Sequence, residues 1–166
     1  KMNFKPEKFD FWLRHQEFAL PSLTRLFDST TSPVMILGAS VLALYADQEW
    51  IPPLHRRTGD LDLSVSIPHG ENDYLALKDI LIHGGYTVDD VFSYRYRPPH
   101  AIQGTLAYID LLAQPPSAEP AEIRRAIAVM GAGEEFRFEG FDFALHTGIP
   151  VRGSVVLPNP IGFLSL

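Results

Sequence analysis

Ile36-Leu37-Gly38-Ala39-Ser40 and, after a gap, Thr58-Gly59-Asp60-Leu61-Asp62-Leu63-Ser64-Val65-Ser66-Ile67 decide the reading of the chain. The second segment alternates without a break, placing Leu61, Leu63, Val65 and Ile67 on one face of a strand and Asp60, Asp62, Ser64 and Ser66 on the other. A strand that buries its apolar face therefore displays two carboxylates side by side on the opposite one. Alternate residues rise by ~6.6–6.8 Å, so the two side chains can converge on one cation or a close pair. In the first segment Val34 to Leu37 reads as a short buried strand, and Gly38-Ala39-Ser40 as a tight turn into a helix that begins near Val41 and runs to Gln48, with Leu42, Tyr45 and Ala46 inward. Free N–H groups at such a helix start, with the Ser40 hydroxyl, suit a phosphate. A phosphate cradle beside a carboxylate pair outlines a metal-dependent nucleotide site.

Outward from this centre the periodicity predicts helices over Glu7 to Ser29, split at Pro21 as the first residue of the second helix, with Phe11, Leu13, Phe18, Leu20, Leu23, Leu26 and Phe27 as the apolar positions. It predicts further helices over Asn72 to His83, closed by Gly84-Gly85, and over Pro120 to Met130. Strands are expected at Tyr86 to Val88, at Phe92 to Arg97, at Thr105 to Leu112 and in the Ile149 to Leu157 segment. In Phe92 to Arg97 the alternation puts Phe92, Tyr94 and Tyr96 on one face and Ser93, Arg95 and Arg97 on the other. That second face is either solvated or meets phosphate or RNA. Phe136 to Phe143 also alternates and reads as a hairpin turning near Gly140, with Asp142 on its solvent face. Asp110 lies in an otherwise apolar run, where a hydrogen-bond network, an arginine or a metal must compensate its charge. The expected architecture is α/β (α+β): a mixed sheet of about five strands, with Val34–Leu37, Leu61–Ile67 and Leu106–Leu112 adjacent at its centre and helices packed on one side.

At 166 residues the chain reads as a single domain, and 46% hydrophobic with 20% charged residues is enough to build a core. A net charge of −6 argues against an extended duplex nucleic-acid surface. Without cysteine there is neither a disulfide framework nor a thiolate nucleophile, and the six histidines show no helical ligand spacing for zinc. No apolar run reaches membrane-spanning length and no signal-peptide pattern is present, so the expectation is a cytoplasmic protein without a membrane partner.

Gly38-Ala39-Ser40 followed by Arg56-Arg57-Thr58-Gly59-Asp60-Leu61-Asp62 resembles the signature of the DNA polymerase β-like nucleotidyltransferase superfamily. The likeness is nearest to the abortive-infection toxin-type nucleotidyltransferases. Arg56, Thr58, Asp60 and Asp62 fall on that motif position by position, while Ala39 stands where glycine is commoner. The resemblance implies a palm-like fold and transfer of a nucleoside monophosphate from a nucleoside triphosphate to an acceptor hydroxyl, with release of pyrophosphate. It implies two divalent ions (Mg²⁺, or Mn²⁺) held by Asp60, Asp62 and Asp110 as the catalytic and metal-binding carboxylates. Gly38, Ala39, Ser40, Arg56 and Thr58 become the nucleotide-binding residues. Three acids crowded without metal should raise one another's proton affinity. The same resemblance implies a tRNA end, a small molecule or a protein side chain as acceptor, an antitoxin as partner, and a helical region continuing past Leu166.

Three other readings stand beside it. Asp-x-Asp strands occur in metal-dependent glycosyltransferases, which need no Gly-Ala-Ser turn before them. A calcium loop would need alternating oxygen ligands and a glycine that this strand lacks. The third reading is a catalytically inactive domain of the same fold that binds nucleotide or a partner; Ala39 and the abrupt C-terminus favour it, and the three carboxylates with Ser40 oppose it.

Overall fold

The computed structural model describes residue 4 and residues 6–45, 60–66, 72–100, 107–115, 119–131 and 140–161. In chain order these form α1 (Pro6–Ala19), α2 (Leu23–Asp28), β1 (Val34–Leu37), α3 (Ala39–Tyr45), β2 (Asp60–Ser66), α4 (Asn72–His83), β3 (Thr87–Val88), β4 (Arg95–Arg97), β5 (Tyr108–Gln114), α5 (Pro120–Met130), α6 (Phe141–His146), β6 (Ile149–Arg152) and β7 (Val155–Leu157). The strands make one mixed sheet in the order β3-β4-β5-β2-β1-β7-β6. Among the described residues it has seven strands where about five are expected; the Ile149 to Leu157 segment contributes two of them as a hairpin, and β3 pairs antiparallel with β4.

The three apolar strands do lie together at the centre. β2 pairs antiparallel with β1 and parallel with β5, and β1 pairs parallel with β7. Leu61, Leu63 and Val65 of β2, Ile109, Leu111 and Ala113 of β5, and Val34 and Ile36 of β1 are buried in the main core with side chains of α1 to α5. Each fully buried aliphatic side chain contributes ~1.5–3 kcal/mol relative to an exposed one, so this face fixes the strand register. A one-residue slip of β2 would carry Asp60 and Asp62 into the hydrocarbon interior.

Helix boundaries follow local chemistry. Thr31 and Ser32 donate their hydroxyls to Asp73 in the first turn of α4, and Tyr74 donates its hydroxyl to the Leu111 carbonyl at 2.8 Å, fastening α4 to β5. α5 opens with Pro120 in its first turn and closes on Gly131, whose φ of 68° is the left-handed conformation that suits glycine.

Several sequence expectations are corrected by packing. Pro21 lies in the turn before α2, which begins at Leu23, so Pro21 does not open the helix. Phe11 and Phe18 face solvent. Of the stripe expected inward in α3, Tyr45 is buried, Leu42 is exposed and Ala46 lies outside the described residues; Val41 and Leu44 join Tyr45 in the main core instead of Leu42. Phe141 to Phe143 begins α6 instead of closing a hairpin, and Asp142 is exposed on that helix. The helices do not all cover one side, since α6 packs Phe141, Ala144 and Leu145 with Met35 and Leu37 on the opposite face. No helix among the described residues is long and apolar enough to cross a membrane.

Candidate active site

β2 carries its two acids on the face away from the main core. Strand alternation sets Asp60, Asp62, Ser64 and Ser66 on that face, and the β2–β5 register sets Asp62 directly opposite Asp110 and Asp60 opposite Tyr108. Asp60, Asp62 and Asp110 therefore share one face of adjacent strands at the centre of the sheet. On the far side of β2, Leu37 is the register partner of Asp62, so the β1–α3 turn begins one residue beyond the carboxylate pair.

That turn is shaped around Asp62. Gly38 has φ 69°, and a Cβ added there would collide with Asp62 Oδ2. Glycine at position 38 thus answers two demands: a left-handed backbone and a carboxylate oxygen pressed against its Cα. The sequence signal was the glycine itself, but what occupies its missing side chain is visible only in three dimensions. Ala39 is exposed and Ser40 half-buried in the first turn of α3, and the Val41 N–H is bonded to the Gly38 carbonyl at 3.1 Å. Arg56 and Thr58, the other expected nucleotide-binding residues, lie outside the described residues.

Charge is unevenly compensated across the cluster. Burial, followed by the negative charges of Asp110 and Asp60, pushes the Asp62 carboxyl up to about 6, against a smaller opposing pull from Arg95. Asp110, buried to 6% exposure, receives a bidentate pair from Arg95 instead: Nε donates to Oδ1 and Nη2 to Oδ2, each at 2.8 Å. The β4–β5 register makes this pairing, since Arg95 is the cross-strand partner of Asp110. The Arg95 guanidinium carbon also lies 3.8 Å from the Tyr108 ring centroid and 4.9 Å from that of Phe92. The hydrogen bonding that Arg95 donates to Asp110 is the largest cause raising the Arg95 pKa above its ordinary value.

Arg95 is the site residue that sequence reading left open. Its alternation was legible, but its partner is fifteen residues on in sequence and found only through strand pairing. On the basic face of β4 Arg97 is solvated, as one expectation has it, while paired with Asp89, whereas Arg95 is turned to Asp110. The crowding expected among the three acids is felt at Asp62, whose carboxyl Asp110 and Asp60 both help to raise.

The residues can be tested for their fit to a cation. Asp62 carries charge that burial and its neighbours destabilise, and Asp60 faces the same side. Ser64, fully buried on that face, has a hydroxyl without a hydrogen-bond partner among the described residues. These oxygens suit a hard divalent ion such as Mg²⁺, which binds through one or two carboxylates and fills its remaining positions with water or substrate oxygens. As the side chains stand, no three His, Asp or Glu residues among those described converge into a ready metal cage, and both oxygens of Asp110 are directed at Arg95. Compared with protein-family models, curated proteins and solved structures, the chain matches none.

Proposed function

We propose that this protein is a metal-dependent nucleotidyltransferase, moving a nucleoside monophosphate from a nucleoside triphosphate to an acceptor hydroxyl. The observation that carries the reading is the juxtaposition of Gly38 and Asp62: a small-residue turn opening a helix lies against a carboxylate whose charge burial and two acidic neighbours disfavour. Its other support is the sequence resemblance to the polymerase β-like superfamily, with Asp60 and Asp62 on the motif positions and Asp110 as third carboxylate on the same face.

In the reaction the acceptor hydroxyl releases its proton to water, its oxygen bonds to the α-phosphorus as the bond to the bridging oxygen of the β-phosphate breaks, and pyrophosphate leaves with that oxygen. A bound divalent ion supplies charge neutralisation at the phosphates. Asp60 and Asp62 would hold the nucleotide-associated Mg²⁺. The N–H groups at Gly38–Ser40 and the Ser40 hydroxyl would orient the terminal phosphates, contributing position instead of covalent chemistry. Asp110 borders the acceptor side, where the two-ion form of the mechanism places its second ion. Candidate acceptors are a tRNA end, a hydroxylated small molecule and a protein side chain, and an antitoxin is the partner implied for a toxin of this type.

The test is incubation with each α-³²P-labelled triphosphate, Mg²⁺ and total RNA or protein extract, with Asp62→Asn in parallel. Label appearing in the acceptor with wild type and lost at least ~10²-fold in the variant supports transfer. Triphosphate binding without label transfer to any acceptor class would favour the inactive nucleotide-binding alternative.

A further inference from the structure

We propose that the guanidinium of Arg95 fills the place of a second ion, so that this face of the sheet takes one divalent cation, at Asp60 and Asp62, and not two. The inference rests on the metal-dependent reading above and departs from the two-ion arrangement that the sequence resemblance implies.

Geometry carries it. Arg95 engages both oxygens of Asp110 at 2.8 Å, the most complete claim one side chain can make on a carboxylate. It is fixed there from three directions: by its cross-strand register with Asp110, by the Tyr108 ring and by the Phe92 ring. Exposure is low on both sides of the pair, 21% for the arginine side chain and 8% for the carboxylate. Breaking such a pair forfeits a factor of roughly 10²–10³ in any affinity that depends on it. An ion that gives up its hydration reluctantly and needs only one or two carboxylates gains little by evicting the guanidinium when Asp60 and Asp62 lie beside it with no bidentate cation of their own among the described residues. Charge counting agrees. Among the described residues, three carboxylates against one guanidinium leave two formal negative charges on this face, which one divalent ion neutralises.

The fixed cation has a functional consequence. A guanidinium cannot exchange with solvent, so its charge stays at the Asp110 side whatever the metal concentration. Asp110 then acts as a positioning residue that holds Arg95 toward the face where substrate charge arrives.

Mn²⁺ alone is a sufficient probe. Calorimetric and electron-paramagnetic titration of the whole chain should count one Mn²⁺ per wild-type molecule and two in Arg95→Gln, whose Asp110 is released. In the doubly neutral variant Arg95→Gln/Asp110→Asn a single site should persist within about threefold of wild-type affinity. This variant keeps the charge of the pair unchanged and decides the matter alone if Arg95→Gln does not fold. Two ions in wild type would overturn the proposal while leaving the metal-dependent reading standing. So would one ion in both wild type and Arg95→Gln, or a loss of about tenfold or more in the double variant, because Asp110 would then be a ligand. Wild type that binds no Mn²⁺ overturns both.

Discussion

Asp62 and Asp110 stand opposite one another on neighbouring parallel strands, yet Asp110 is held bidentately by Arg95 while Asp62 has burial and two negative neighbours and, among the described residues, no such partner. The cluster is thus strained at one residue, and that residue is the one the β1–α3 turn is built around.

Asp62 should destabilise the protein in a pH-dependent way. Its folded pKa of about 6 lies above the ordinary carboxylate value of 3.8, so the folded state holds the proton more tightly than the unfolded chain. The penalty is absent below pH ~4, grows between pH ~4 and ~6, and is complete above. After allowance for partial exposure, Asp62→Asn should stabilise by ~1–2 kcal/mol at pH 7.5 and by nearly nothing at pH 4. Urea unfolding at both pH values checks this, and an equal gain at each would refute it.

Gly38 and Asp62 should be energetically coupled. Gly38→Ala forces a side chain into a left-handed backbone and onto Asp62 Oδ2, at an expected cost of ~2–4 kcal/mol. In an Asp62→Ala background the contact is gone and only the backbone term of ~1–2 kcal/mol should remain. A double-mutant cycle measured by urea denaturation tests the difference, and additive effects would show that the close approach does not matter.

Asp110→Asn should destabilise, in contrast to Asp62→Asn. It leaves the guanidinium of Arg95, mostly buried, without its anion, at a cost of ~2–4 kcal/mol at neutral pH after discounting for the partial exposure of the arginine. Thermal melts of the two asparagine variants should therefore move in opposite directions. A higher melting temperature for Asp110→Asn would mean that the pair seen here does not form in solution.

Ser40→Ala should weaken Mg²⁺–triphosphate binding by ~1–2 kcal/mol, the scale of a hydrogen bond to a charged group, with little change in melting temperature. Calorimetry with wild type and variant decides it; identical affinities would remove Ser40 from the phosphate site.

Asp89 governs the acid limb. Its carboxylate accepts the Val91 and Phe92 N–H groups at 2.9 and 3.0 Å and is paired with Arg97. These contacts, the backbone bonds first, hold it down at about 2. Its stabilising contribution is complete above pH ~4 and is lost as pH falls toward 2. Asp89→Asn should flatten the stability profile over that range, as followed by circular dichroism during acid titration.

Sequence alone determined the three central strands, the common face of Asp60 and Asp62, and the helices Asn72–His83 and Pro120–Met130. Each of these is written in local periodicity: a pleat with period two and a helix with period 3.6 leave their mark in one segment, without reference to any other. The alternating stretch at Phe136 to Phe143 shows the limit, because the same pattern over few residues fits a strand or a short helix, and packing on Met35 and Leu37 chose the helix for Phe141 to Phe143. Tertiary structure alone decided which carboxylate is compensated. That Asp110 needed a partner was legible from its apolar surroundings, but that the partner is Arg95 follows from the β4–β5 register. It alone also showed that Gly38 makes room for Asp62. Both are contacts between residues distant along the chain, and the interaction that sets them, the pairing of strands under a common hydrophobic face, belongs to no single segment.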